Sequence, residues 1–182
     1  MRDAALTFAF HNRGRQPVGF SVDLCHGIAE DVATTLNQDL LEPGAPAWQR
    51  GIRIAHVSVA ADARLPTVTS RAIDLECGST TADAERSKTA AFSPVFFLAG
   101  TKVLVRAESQ LRSYRDLVGK TIAVSAGTTN AAVIRGLMPT TTLPIKLVEL
   151  PGVEAAFAAL ASGRADAMAS DDILRRLFWV GA

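Results

Sequence analysis

The chain has 182 residues, of which 48% are hydrophobic, so it is long and apolar enough to fold around a buried core. Its 19 basic and 18 acidic residues leave a net charge of +1, which gives no electrostatic basis for binding nucleic acid or an anionic membrane. No run of about 18 uncharged apolar residues is present, so the sequence predicts no transmembrane helix. We also recognise no secretory signal at its start.

The first part of the chain predicts a β-α-β arrangement. Apolar side chains recur every four residues from Leu24 onward, which predicts a helix over residues 23–40. β-Branched residues predict a buried strand at 52–59, and residues 73–75 predict the next strand. Between the two strands, Asp62 is expected to cap a short helix with Arg64 in its first turn. Strands joined in this way pair in parallel through a right-handed crossover.

The second part repeats this rhythm. Extended segments at residues 92–97 and 102–105 lead into an alternation of strands and helices, with strands predicted at 121–124, 145–148 and 165–169 and helices at 131–137, 153–162 and 171–178. The predicted fold class is therefore α/β, with two lobes at residues 1–105 and 106–182 and a ligand cleft between them.

A polar turn follows the predicted strand at 73–75. Its hydroxyl groups on Ser79 and Thr81, its backbone N–H groups and the guanidinium of Arg86 suit a small ligand that carries a carboxylate. The end of a strand is also where open α/β sheets bind ligands. The alternative is a helix N-cap formed by Ser79 or Thr80, with Arg86 as a solvated charge.

Two further turns offer complementary groups. Gly127, Thr128 and Thr129 precede a predicted helix, whose N–H groups and dipole favour a carboxylate. A threonine at this place can also cap the helix, and the two roles are compatible. Asp171 and Asp172 follow a predicted strand, where they form either a capping pair or an anionic partner for an ammonium group.

Chemistry beyond binding receives little support. Cys25 and Cys77 can be two thiols or one disulfide, and their apolar surroundings favour buried thiols. The three histidines lack metal-ligand spacing, and we predict no metal or cofactor. The nucleophile and phosphate-binding motifs of common enzymes do not occur. Glu76 and Glu85 could be paired as in glycosidases, but a structural role is simpler, so the chain is not predicted to be an enzyme.

A longer pattern combines these features. Residues 74–81 read DLECGSTT, and they are followed by Glu85-Arg86, by AFSPVFF at 91–97 and by Gly100-Thr101. This pattern closely resembles that of the periplasmic glutamate/aspartate-binding proteins, in the polar-amino-acid branch of the ABC-transporter solute-binding proteins. The resemblance runs from Arg2 to about Leu174. It implies a type II periplasmic-binding-protein fold, a periplasmic location, a monomer, a free acidic amino acid as ligand and an inner-membrane ABC permease as partner.

The resemblance also implies roles for individual residues. The ligand's α-carboxylate, α-ammonium and side chain would be bound by three groups of residues: Arg86, Thr81 and Thr128 for the carboxylate, Ser79, Thr81 and Asp171 for the ammonium, and Arg64 and Arg2 for the side chain. Two positions depart from the family. Ala61 replaces a common serine and Val153 replaces a histidine, so the two side-chain arginines have fewer supporting partners.

Family members begin before the position of Arg2 and continue past the helix after Asp172. The resemblance therefore implies an incomplete fold that lacks segments at both ends. Such a chain is expected to be less stable than a complete relative, without a cooperative monomeric melt above about 55 °C. Two alternatives on the same scaffold are a cyclohexadienyl-dehydratase-like enzyme and a sensory ligand-binding domain.

Overall fold

The computed structural model describes residues 8–140 and 144–173 of the chain. The chain divides into two compact units. The first unit comprises Met1–Ser58 and Arg71–Ser79, and the second comprises Val59–Ser70 and Thr80–Ala182. Within the described ranges, no helix combines the length and the apolar character that crossing a membrane requires.

The first unit is built around one long helix. Two short antiparallel strands, β1 (Phe10–His11) and β2 (Pro17–Val18), precede helix α1 (Phe20–Thr35). The helix predicted from the four-residue spacing is therefore confirmed, although it begins and ends earlier than predicted. Its apolar stripe consists of five residues that are each between 40% and 56% exposed: Phe20, Leu24, Ile28, Val32 and Leu36.

Helix α1 ends early because Asn37 adopts a left-handed conformation with φ of 50°. The N–H of Asn37 donates to the carbonyl of Thr34, and the N–H of Gln38 donates to the carbonyl of Ala33. These two bonds form a Schellman motif, which satisfies carbonyls at the helix end. Asparagine tolerates this conformation better than most residues, so the local sequence stops the helix before residue 40.

The two strands predicted for the first unit are wrong. Residues 52–59 form only a single bridge, between Ile52 and Leu40, and residues 73–75 form no strand. β-Branched residues favour extended backbone, but a strand also needs a neighbour that pairs with its N–H and C=O groups. Among the described residues of this unit, β1–β2 is the one regular ladder, so the stripe of α1 has no sheet to cover it.

The expectation of two buried thiols is also wrong, because Cys25 and Cys77 form a disulfide. Both residues are only partly buried, and their Cα atoms lie 6.2 Å apart. The bond joins α1 to the residue before Gly78. The hydroxyl of Ser21 donates to the carbonyl of Gly78 at 2.8 Å, so α1 is joined to residues 77–78 by one covalent and one hydrogen bond.

The histidines of the first unit make its stability depend on pH. Burial lowers the pKa of His56 below its ordinary value of 6.5, and the nearby His26 and His11 lower it further; the His26 and His56 rings lie 6.1 Å apart. The unfolded chain therefore binds a proton that the folded chain resists, and stability is lost as the pH falls below 6.5. We expect a smaller acid-induced drop in melting temperature for His56→Gln than for wild type, measured between about pH 7.5 and about pH 5.

Since burial is the leading cause of this shift, His11→Gln should leave most of the pH dependence in place. An unchanged drop in the His56→Gln variant would contradict the assignment.

The second unit contains a mixed four-stranded sheet. Its strands are β3 (Thr101–Val105), β4 (Thr121–Ser125), β5 (Lys146–Leu150) and β6 (Ala167–Asp171). They lie in the order β3-β6-β4-β5, with β4 parallel to both of its neighbours and β3 antiparallel to β6. All four strands were predicted from the sequence to within a few residues. The extended segment predicted at 92–97 is not part of the sheet.

Two helices cover the opposite faces of this sheet. Alternating residues of β4 point to opposite sides, so Ile122 and Val124 pack with α3 (Thr129–Thr140), whereas Ala123 packs with α4 (Gly152–Ala161). The resulting three layers are those of an α/β fold. Both helices were predicted. The helix predicted at 171–178 lies mostly outside the described residues.

A short helix, α2 (Arg64–Thr69), also belongs to the second unit. The predicted cap by Asp62 is wrong, because Ala63 precedes the helix and no side chain caps it. Residues 61–63 already form a turn, and the backbone of Asp62 is packed against Gly127.

Candidate functional site

The sheet of the second unit brings two predicted features to one edge. Strands β4, β5 and β6 are parallel, so their carboxyl ends lie together. The turn at residues 126–128 follows β4, and Asp171 is the last residue of β6. Such an edge is the usual ligand position in an open α/β sheet.

Thr128 caps helix α3. Its hydroxyl donates to the carbonyl of Ser125 at 2.7 Å and accepts from the N–H of Ala131 at 3.4 Å. The capping interpretation of this threonine is thus confirmed. Because the hydroxyl proton is already used, Thr128 can offer a ligand its backbone N–H and the field of the helix N-terminus.

Arg86 is held in place rather than solvated. Its Nη1 donates to the carbonyl of Thr81 and its Nη2 donates to the carbonyl of Gly127, both at 3.0 Å. Nε lies 3.6 Å from a carboxylate oxygen of Asp83, and the side chain is only 19% exposed. Of the five guanidinium N–H groups, one on each terminal nitrogen remains for another acceptor among the described contacts. The alternative of a solvated charge is wrong.

The turn before Arg86 does not cap a helix, since none follows Ser79 or Thr80 directly; a single 3-10 turn begins at Arg86. Instead, the hydroxyl of Thr81 lies 3.3 Å from the hydroxyl of Thr129 at the start of α3. The hydroxyl of Thr80 is buried without a partner in the part of the chain that the structure describes. An unpaired buried hydroxyl costs about 1–3 kcal/mol, and such groups are uncommon in native structures.

Gly127 is the contact point between two segments of the second unit. Its φ is +72°, and a Cβ added there would lie 2.5 Å from the Cα of Asp62. This close approach brings the segment that carries Arg64 against the turn after β4. No other residue type fits here without moving backbone.

Gly127→Ala should therefore lower the free energy of unfolding by about 2–4 kcal/mol, because it combines left-handed strain with a backbone clash. Gly163→Ala is the matched control, since Gly163 has φ of +76° and open space around it, and it should cost only about 1–2 kcal/mol. Urea unfolding of both variants measures the difference. Equal losses would show that Gly127 makes no essential contact with Asp62.

Asp171 has a partner that the sequence analysis missed. Nδ2 of Asn130 donates to Oδ1 of Asp171 at 3.0 Å, and Oδ1 of Asn130 accepts from the hydroxyl of Thr101 at 2.6 Å. Asn130 is 6% exposed and lies in the first turn of α3. The only sequence signal for Asn130 was its place directly after Gly127-Thr128-Thr129. An asparagine at this position does not by itself indicate a role.

The other predicted site residues lie in different parts of the chain. Arg64 opens α2 and is partly buried. Ser79 is the last residue of the first unit, next to the tethered Gly78. Arg2 lies outside the described residues. In the described ranges, no group of three or more histidine, cysteine, aspartate or glutamate residues could hold a metal ion.

The sequence is similar to those of several amino-acid-binding proteins. The chain is 30% identical over 173 residues to a glutamate/aspartate import solute-binding protein of Salmonella typhimurium, covering 95% of this chain and 54% of the relative. It is also 30% identical over 157 residues to a glutamine-binding protein of Geobacillus stearothermophilus, covering 86% and 53%. The chain thus spans about half the length of the curated relatives it matches.

Solved structures show the same fold. The arginine-bound form of truncated ArgBP from T. maritima is 32% identical, with a TM-score of 0.76, and the match covers 94% of this chain and 71% of that one. An ancestral amino-acid-binding protein, described as a precursor of cyclohexadienyl dehydratase, is 25% identical, with a TM-score of 0.75 over 96% and 71%. The fold is that of the type II periplasmic binding proteins, as predicted.

Two family models match the sequence. One, described as NMT1/THI5 like, covers residues 94–171. The other covers residues 1–131, which is well over half of the chain. With this match and the shared fold, the chain belongs to the bacterial extracellular solute-binding proteins, family 3.

Proposed function

We propose that the chain binds a free amino acid as the substrate-binding component of an ABC transporter. The observation that carries this proposal is the grouping of opposite charges around the start of α3. Arg86 is bonded to the carbonyl of Gly127, and Asp171 is bonded to Asn130 in the first turn of the helix. A cation with free N–H groups and an anion on either side of a helix N-terminus match the two charges of an amino-acid backbone.

In this proposal the α-carboxylate is bound by Arg86, Thr81 and the backbone of Thr128. The α-ammonium is bound by Asp171, with Ser79 and Thr81 as further acceptors. The ligand's side chain is bound by Arg64 and Arg2. The assignment of Arg64 is supported by the close approach of Asp62, two residues earlier, to Gly127.

We propose glutamate or aspartate as the ligand, because both side-chain residues would be cationic. The relatives whose names give a ligand include glutamate/aspartate-binding and glutamine-binding proteins, and a structural relative is arginine-bound. In this proposal the residues at the side-chain end decide which amino acid binds, while the backbone-binding groups would suit any of these ligands.

We also propose the two lobes, the oligomeric state, the partner and the location of the protein. Residues 1–105 and 106–182 would form the two lobes that close on the ligand, and the chain would act as a monomer that hands its ligand to an inner-membrane permease. A periplasmic location is supported by the disulfide between Cys25 and Cys77, because such bonds persist in oxidising compartments.

Calorimetric titration of the chain with glutamate, aspartate, glutamine and arginine tests the proposal. We expect micromolar binding that is tightest for an acidic amino acid. Tighter binding of glutamine or arginine would contradict the proposal of an acidic ligand but would still support an amino-acid-binding protein. Binding of none of the four, together with turnover of a cyclohexadienyl acid, would overturn the transport function in favour of the enzyme alternative.

A further inference from the structure

We propose that Asn130 is a positioning residue for ammonium recognition: it holds the carboxylate of Asp171 in one orientation and ties it to the start of helix α3. The inference rests on the proposed function, in which Asp171 binds the ligand's ammonium group. Asn130 is not among the residues proposed to contact the ligand, but its loss should measurably change the affinity.

The direction of the hydrogen bonds follows from the chemistry of the three side chains. An ionised aspartate only accepts hydrogen bonds, so the end of Asn130 that faces Asp171 must be its NH₂ group. The other end must then be the carbonyl, which accepts from the hydroxyl of Thr101. Both ends of the amide are therefore engaged, and reversing the amide would set its carbonyl oxygen against the carboxylate of Asp171.

The backbone brings Thr101 and Asp171, the two hydrogen-bond partners of Asn130, close together. Thr101 and Asp171 are register partners in the antiparallel ladder of β3 and β6. The N–H of Asp172 donates to the carbonyl of Gly100 at 3.0 Å, so the two strands stay paired beyond this point. Asn130 spans the ends of both strands from α3, and it is 6% exposed. A buried polar side chain in this position is fixed by its partners rather than by solvent.

The consequence for binding is preorganisation. Oδ1 of Asp171 is occupied by Asn130, and none of the described contacts engages Oδ2, which is left to accept from an ammonium group. Asn130 also sits in the helix turn whose N-terminus would bind the carboxylate, so one side chain fixes the spacing between the two charge-binding groups. Without it, Asp171 would have to be ordered by the ligand, which lowers affinity.

The test is a double-mutant cycle read by calorimetric titration with glutamate, using wild type, Asn130→Ala, Asp171→Asn and the double variant. We expect Asn130→Ala to weaken glutamate binding about tenfold to a hundredfold, and to add little once Asp171→Asn is present. Glutarate, which lacks the ammonium group, should bind wild type and Asn130→Ala equally. Asn12→Ala removes a partly exposed asparagine in a turn of the first unit and should leave glutamate binding unchanged.

Thr101→Val provides a second route if the loss of Asn130 prevents folding. It keeps the bond between Asn130 and Asp171 but frees the far end of the amide, so it should weaken glutamate binding in the same direction by a smaller factor. The proposal is overturned if Asn130→Ala weakens glutarate as much as glutamate, or if its effect is undiminished in the Asp171→Asn background. Failure of wild type to bind glutamate or any other amino acid would instead overturn the proposed function, and this inference with it.

Discussion

Arg86→Ala is expected to weaken amino-acid binding by about 30-fold to several thousand-fold, which corresponds to about 2–5 kcal/mol for removing one partner of a desolvated, hydrogen-bonded charge pair. Arg86 is the cation at the centre of the candidate site, and its side chain is 19% exposed. Its guanidinium also bonds two carbonyls, those of Thr81 and Gly127. The variant should therefore lose both ligand contacts and the geometry of the two turns. Calorimetric titration measures the loss.

Two variants separate these contributions. Arg86→Lys keeps the charge but lacks the planar fork, so it should recover only part of the affinity. Lys88→Ala is the matched control, because Lys88 lies two positions away, is 66% exposed and pairs with Glu85; it should bind like wild type. If Arg86→Ala bound as tightly as Lys88→Ala, the assignment of Arg86 to the carboxylate would be wrong.

Breaking the bond between Cys25 and Cys77 should lower the free energy of unfolding by about 4 kcal/mol. The cysteines are 52 positions apart, and closing a loop of that length restricts the unfolded chain by about this amount on the chain-entropy account. The Cys25→Ser, Cys77→Ser double variant should show the loss as an earlier midpoint in urea unfolding. A loss of this size is a large part of the usual stability of a domain.

A reducing agent supplies the control for this prediction. Wild type should shift toward the double variant when reduced, while the double variant itself should not respond. The hydrogen bond between Ser21 and Gly78 does not depend on the disulfide, so Gly78 should keep one connection to α1 in both cases. Identical midpoints for oxidised wild type and the double variant would contradict the stabilising role of the disulfide.

The second unit was largely predictable because its signals are local. Strands β4 and β6 are short apolar runs between turns, and each is buried on both faces by helices. Thr128 and Asp171 could be proposed because they lie at the start of a helix and at the end of a strand, where unpaired backbone groups favour charged ligands. Arg86 was proposed after a predicted strand that the structure does not contain.

The features that sequence reasoning missed depend on distant parts of the chain. Asn130 and Asp171 are 41 positions apart, and no local pattern pairs an asparagine in a helix with an aspartate at the end of a strand. The close approach of Asp62 to Gly127 is of the same kind. The pairing of Cys25 with Cys77 likewise depends on how α1 packs, which composition around the two cysteines does not reveal.

The wrong strands in the first unit have another cause. Residues 52–59 have the composition of a strand, and Ile52 does pair with Leu40. Composition, however, describes one strand at a time, whereas a ladder requires two. The spacing of apolar residues in α1 was a safer signal, because a helix forms its hydrogen bonds within its own segment.

The most direct test of the account is a crystal structure of the chain with bound glutamate. We predict that the α-carboxylate lies within hydrogen-bond distance of Arg86 and of the first backbone N–H groups of α3, and that the ammonium group contacts Oδ2 of Asp171. Glutamate bound elsewhere, or bound with its α-carboxylate away from Arg86, would contradict the central claim that this sheet edge recognises the amino-acid backbone.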